Sequence, residues 1–64
     1  MRIDRAKLAS KLAEKCWTQK KLSEESGVSR QTISYIKCGK TCTDPIGEAI
    51  ANALGVEVTD LLED

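Results

Sequence analysis

Between residues 18 and 40 the chain reads T-Q-K-K-L-S-E-E-S-G-V-S-R-Q-T-I-S-Y-I-K-C-G-K, and Ser26-Gly27-Val28-Ser29 in its middle limits what can be built there. Glycine adopts a left-handed backbone conformation without steric cost, so Gly27 marks the end of one helix. Ser29, just beyond, is a good N-cap for another. Two short helices therefore meet at a tight break, and the pair spans about 18–37. The first opens at Thr18, whose hydroxyl can cap its free amides, and has Leu22 as its apolar anchor. The second, about 29–37, turns Ile33 and Ile36 to one side, three residues apart. That leaves Arg30, Gln31, Ser34 and Tyr35 pointing outward, a polar face rich in hydrogen-bonding groups. A buried helix braced by its neighbour while showing such a face is what a helix-turn-helix needs.

The rest of the chain supplies helices to hold that pair. Leu8, Ala9, Leu12 and Cys16 fall at i, i+1, i+4 and i+8, predicting an apolar stripe on a helix over 5–15, with Asp4 as its cap. By the same stripe Cys16 reads as a small buried hydrophobe, and Trp17 as a core plug between the first two helices. Asp44 before Pro45 predicts an N-cap and first turn. Ile46, Ala49, Ile50, Ala53 and Leu54 then keep a helical period until Gly55 closes the run. Val58, Leu61 and Leu62 give a last short apolar edge before an acidic end. The expectation is an all-α fold of five short helices, with no strand and no internal repeat. Sixty-four residues make one domain, 1–64, and such a domain buries only about 60% of its unfolded surface. With one Trp, one Tyr and no Phe, its core must be aliphatic.

The formal charge is zero, but its distribution is uneven. Residues 1–40 hold all ten Lys and Arg against four acids, whereas 41–64 hold six acids and no base. A near-neutral bulk charge would argue against nucleic acid; this partition instead suggests a basic binding end and an acidic rear. No stretch approaches the roughly 20 apolar residues that cross a bilayer, and the N-terminus lacks the apolar run of a signal peptide, so a cytoplasmic location is expected. Three cysteines, an odd count, argue against a structural disulfide framework. Cys38 and Cys42 cannot complete a zinc site in a chain without histidine; both flank the short stretch Gly39-Lys40-Thr41, where a redox switch is the alternative reading. Catalysis has no support: there is no histidine and no phosphate-binding glycine loop, and Glu24 and Glu25 diverge on their helix. No metal or cofactor is expected.

The stretch resembles the helix-turn-helix of the Cro and phage-repressor family, also called the xenobiotic-response-element family. The resemblance is carried by Thr18-Gln19, Leu22-Ser23, Gly27-Val28-Ser29, Ile33-Ser34 and Gly39-Lys40, then by the run from Ile50 to Val56 and the edge from Val58 to Leu62. It implies a compact, lambda-repressor-like DNA-binding domain and a sequence-specific regulator working on an operator in double-stranded DNA. By position, Arg30, Gln31, Ser34 and Tyr35 match base-reading or groove-facing residues. Gln19, Lys37, Lys40 and Thr41 match positions that meet phosphates, and Val58, Leu61 and Leu62 suggest the surface of a weak homodimer strengthened on DNA. One departure matters. Relatives frequently pair a glutamate near the end of the recognition helix with an arginine of the first helix; Lys37 and Leu12 stand at those places here, leaving Lys37 to reach a phosphate or pair with Glu14. Two alternatives stand beside this reading: a DNA-binding antitoxin of a toxin–antitoxin pair, and a protein-interaction module that has lost DNA binding.

Overall fold

Local capping bonds mark where three of the helices begin, at Asp4, Thr18 and Ser29. In the computed structural model, which describes residues 1–63, α1 spans Arg5–Lys15, α2 Gln19–Ser26, α3 Arg30–Lys37 and α4 Asp44–Leu54. Asp4 accepts from the amides of Ala6 and Lys7 at 2.8 and 3.2 Å, satisfying two donors that the first turn of α1 leaves open. Gly55 closes α4 in the left-handed region, at φ 72°. The expected fifth helix is a single 3-10 turn, Val58–Asp60, so the fold among the described residues is all-α with four α-helices. Asp64, counted above among the C-terminal acids, lies outside the described residues.

The core is aliphatic, as the scarcity of aromatics requires. Leu8 and Leu12 from α1, Leu22 from α2, Ile33 and Ile36 from α3, and Ile50, Ala51 and Leu54 from α4 are buried together with Val28 and Leu61. Helix α4 lies against α2, α2 against α3, and α1 meets α3, so α3 is held from two sides. Ile3 completes the core, and nothing in the local pattern announces it. Residues 1–4 run as an extended strap: Ile3 faces Leu62 in an isolated antiparallel bridge, and Asp4 N–H donates to the Leu61 carbonyl at 2.7 Å. Leu61 is thereby wholly buried within the subunit and cannot serve a dimer surface; Val58 and Leu62 stay half-buried.

Four further expectations change. Cys16 is exposed, because α1 ends at Lys15 and the chain turns through a left-handed residue there, at φ 58°. Trp17 lies half-buried at the core's edge, with the Lys15 and Lys21 ammonium groups 5.3 and 6.0 Å from its ring centroid, within reach of cation–π attraction. Thr43, not Asp44, is the N-cap residue of α4, and its side chain makes no capping bond. The buried face of α4 is Gly47, Ile50, Ala51 and Leu54, while Ile46, Ala49 and Ala53 pack only at the margin.

The left-handed cysteine generates a stability test. A residue with a Cβ in this region costs about 1–2 kcal/mol. Glycine escapes that strain but loses about 0.5–1 kcal/mol through the freedom of its unfolded chain. Cys16→Gly should therefore stabilise the domain by up to about 1 kcal/mol in urea denaturation. A clear loss of stability would mean that Cys16 does packing work its exposure conceals.

Candidate nucleic-acid interface

The turn between α2 and α3 is held by hydroxyls as well as by its glycine. Gly27 stands at φ 75° and donates its amide to Ser23 C=O at 2.9 Å. Ser23 Oγ donates to Val28 C=O and Ser26 Oγ to Leu22 C=O, each at 2.6 Å. Ser26 Oγ also accepts from the Val28 amide at 3.2 Å, and Val28 is buried. The Val28 amide and carbonyl, which the turn removes from helical pairing, thus both gain a local partner, as buried polar groups require. At the helix starts, Thr18 accepts from Lys21 N–H and Ser29 from Thr32 N–H, both at 3.2 Å.

Burial of Ile33 and Ile36 then fixes the rotation of α3. At about 100° per residue, Gln31 points nearly opposite those two anchors, with Ser34 and Tyr35 on either side of it. All four residues expected to read bases, Arg30, Gln31, Ser34 and Tyr35, are exposed. Tyr35 is the large hydrophobic residue left most open, at 54%. Ser34 Oγ approaches Gln19 Oε1 at 3.4 Å, a long hydrogen bond that brings the first residue of α2 to the same face.

Lys40 and Thr41 follow α3 in the loop 38–43, and both are exposed. Gly39 turns the chain at φ 91°, and the Lys40 amide closes on Tyr35 C=O at 3.1 Å. Beside them opens a groove of about 540 Å³, lined by Tyr35, Lys40, Thr41, Cys42, Thr43 and Ile46 among others. Thr43 is the residue the sequence reading overlooked. The signal was Pro45: a proline in the first turn fits N2 as well as N1, which moves the cap back to a residue with a free hydroxyl.

Lys37 sits apart. It is half-buried and lines a shallow hollow with Asp4, Arg5, Ala6, Ala9 and Glu63, away from the outward face of α3. Its suggested partner Glu14 pairs with Lys11 instead, at 3.5 Å. The residues of α1 that share its hollow are Arg5, Ala6 and Ala9, not Leu12.

The basic half of the chain is less basic in space than in sequence. Arg2 pairs with Glu63 at 3.2 Å and Lys21 with Glu25 at 3.0 Å. The hydrogen bond to Glu25, and then its charge, raise the Lys21 ammonium above the ordinary lysine value. Lys7 Nζ donates to Leu62 C=O at 2.8 Å. Arg30 and Lys40, by contrast, form no ion pair among the described residues.

With this geometry in view, comparison with known families is decisive: the model of the Cro/C1-type HTH DNA-binding domain matches residues 7–64. The chain belongs to that family. Binding of double-stranded DNA is accordingly the activity of this fold, and the family is one of binding domains rather than enzymes. Comparison with curated proteins and with solved structures gave no significant match. No helix among the described residues is long and apolar enough to cross a membrane.

The thiols around the loop differ in character. Cys38 is exposed, whereas burial pushes the Cys42 thiol above its ordinary value; the Met1 amino group opposes that shift and Asp44 adds to it. A raised value leaves less thiolate near neutrality, so Cys42 is the poorer nucleophile. Iodoacetamide at neutral pH should label Cys16 and Cys38 well before Cys42, with peptide mapping as the readout. Fast labelling of Cys42 would return it to consideration as a redox sensor.

Proposed function

We propose that this domain is a sequence-specific transcriptional regulator of the Cro and repressor type, acting in the cytoplasm with α3 laid in the major groove of an operator. The observation that carries the reading is the exposure of Arg30, Gln31 and Tyr35 on a helix whose opposite side is locked by Ile33 and Ile36. An α-helix is about 10–12 Å across with its side chains, which suits a groove about 12 Å wide. Arginine offers paired donors to guanine O6 and N7, and glutamine pairs with adenine N6 and N7. Ser34 braces Gln19 and keeps oxygen lone pairs for a base amino group. Gln19, Lys40 and Thr41 meet the phosphates on either side, where contacts set register without reading sequence. Lys37, turned toward Asp4 and Glu63, is the weakest of the phosphate assignments.

Two subunits on adjacent half-sites, about one helical turn apart, would match the symmetry of a near-palindromic operator. Val58 and Leu62 form the edge we assign to self-association. So small an edge gives a weak dimer. Sedimentation should show mostly monomer at micromolar protein and two subunits per operator duplex; tight binding of one subunit to a full site would rule this arrangement out.

Reading and gripping can be separated by mutation. Gln31→Ala should cost about 1–3 kcal/mol on the preferred site, found by selection from random DNA, and much less on random sequence. Lys40→Ala should weaken both kinds of DNA alike and lower the salt-dependence slope by about one per subunit. Equal losses on both DNAs for Gln31→Ala would remove that residue from base reading.

A further inference from the structure

The strap 1–4 lies outside the part of the chain that the family model matches, which begins at residue 7. It is nonetheless bonded to both ends of the fold. At one end, Glu63 N–H donates to Arg2 C=O at 3.1 Å beside the Ile3–Leu62 bridge. At the other, Met1 and Cys42 pair reciprocally: Cys42 N–H donates to Met1 C=O at 2.9 Å, and the Met1 amino group donates to Cys42 C=O at 2.7 Å. The same amino group lies 4.0 Å from Asp44 Oδ1.

Cys42 sits in the loop that carries Lys40 and Thr41. The near side of that loop is tied to α3 through the Gly39 and Lys40 amides. Beyond Lys40 and before Thr43, the pair with Met1 is the one backbone tie among the described residues. A loop with a single tie would open locally far more readily than the core.

The Met1 side chain is seated in turn. Gly47 is buried on α4, and a Cβ placed there would occupy the position of Met1 Sδ, with Cε and Cγ at 3.2 and 3.3 Å. The glycine leaves the space that the methionine fills, in a helix interior where glycine is otherwise unfavourable.

We propose that Met1, seated on Gly47 and paired with Cys42, is a positioning residue that holds the loop 38–43 so that Lys40 and Thr41 meet the DNA backbone. This rests on the phosphate role given to that loop above. Residues 1–4 touch no DNA in this arrangement; they fix the loop against which the backbone is gripped.

Gly47→Ala tests it, because the substitution unseats Met1 while giving α4 a better helix former, so the fold persists in a circular-dichroism melt. The Cys42 amide should then exchange with solvent faster than in the parent chain. Affinity for the preferred site should fall several-fold, with a shallower salt slope. In a Lys40→Ala background the same substitution should cost clearly less, only what the Thr41 contact contributes. A merely structural role would move the melting temperature but leave affinity and slope in place below the transition. Unchanged affinity, or an equal loss with Lys40 already removed, would overturn the proposal while leaving the grip assignment standing. A silent Lys40→Ala would remove the grip assignment and the strap's role with it. The parent chain offers a second measurement. Its Cys42 and Glu63 amides, both bonded to the strap, should exchange more slowly than the Thr41 amide, and a Cys42 amide as fast as Thr41 would also overturn the proposal.

Discussion

Everything the outward face of α3 can do depends on the turn at Ser26-Gly27-Val28-Ser29. Its angle is set by a left-handed Gly27 and by the hydroxyls of Ser23 and Ser26, which bond to Val28 C=O and Leu22 C=O. Val28 is driven into the core at the same point. A residue with a Cβ at Gly27 would meet no neighbour within 4 Å, so the constraint there is conformational and not one of space. The backbone must turn left-handed, and glycine does so without strain.

Neither helix of the pair could stand alone. Each has eight residues, and isolated helices shorter than roughly 12–15 residues are marginal in water. Tertiary burial therefore supplies what propensity cannot, and Leu22, Ile33 and Ile36 are each at 1% exposure or less. The consequence for function is geometric. Because those anchors are β-branched or packed from both sides, α3 has little freedom to roll, and Gln31 is held away from the core. Side chains that read bases need such a rigid platform, since a slip of one residue turns a helix by about 100°.

What could be read from the sequence was what is local. Thr18, Gly27, Ser29 and Gly55 act within four residues of where they stand, and each does what its type suggests. The outward set Arg30, Gln31, Ser34 and Tyr35 followed from the spacing of two isoleucines. What could not be read depends on distant partners. Ile3 is buried because Leu62 pairs with it from the far end of the chain, and the same pairing draws Leu61 inside. Cys16 continued the apolar period of α1 on paper, but a period has meaning only while the helix lasts, and this one ends at Lys15. Gly47 carried no hydrophobic signal at all. Its missing side chain is the signal, since the space goes to Met1. The displaced stripe on α4 follows from the same omission.

The charge pattern needs the fold before it can be weighed. In sequence the first forty residues carry the entire positive charge, yet Arg2, Lys11 and Lys21 each meet a carboxylate. What remains open at the proposed interface is Arg30 and Lys40, at the start of α3 and just beyond its end. The domain measures 24 × 21 × 19 Å, and charges are screened over about 8 Å at physiological ionic strength. Carboxylates on a remote face therefore cannot cancel the positive charge that these two residues present at the proposed interface. Nor do bases there add to it. A net charge of zero is thus compatible with DNA binding, but it changes its character. Long-range steering is weak in such a domain, so its affinity must come from contacts made after encounter. That puts the weight on how accurately α3 and the loop 38–43 are held.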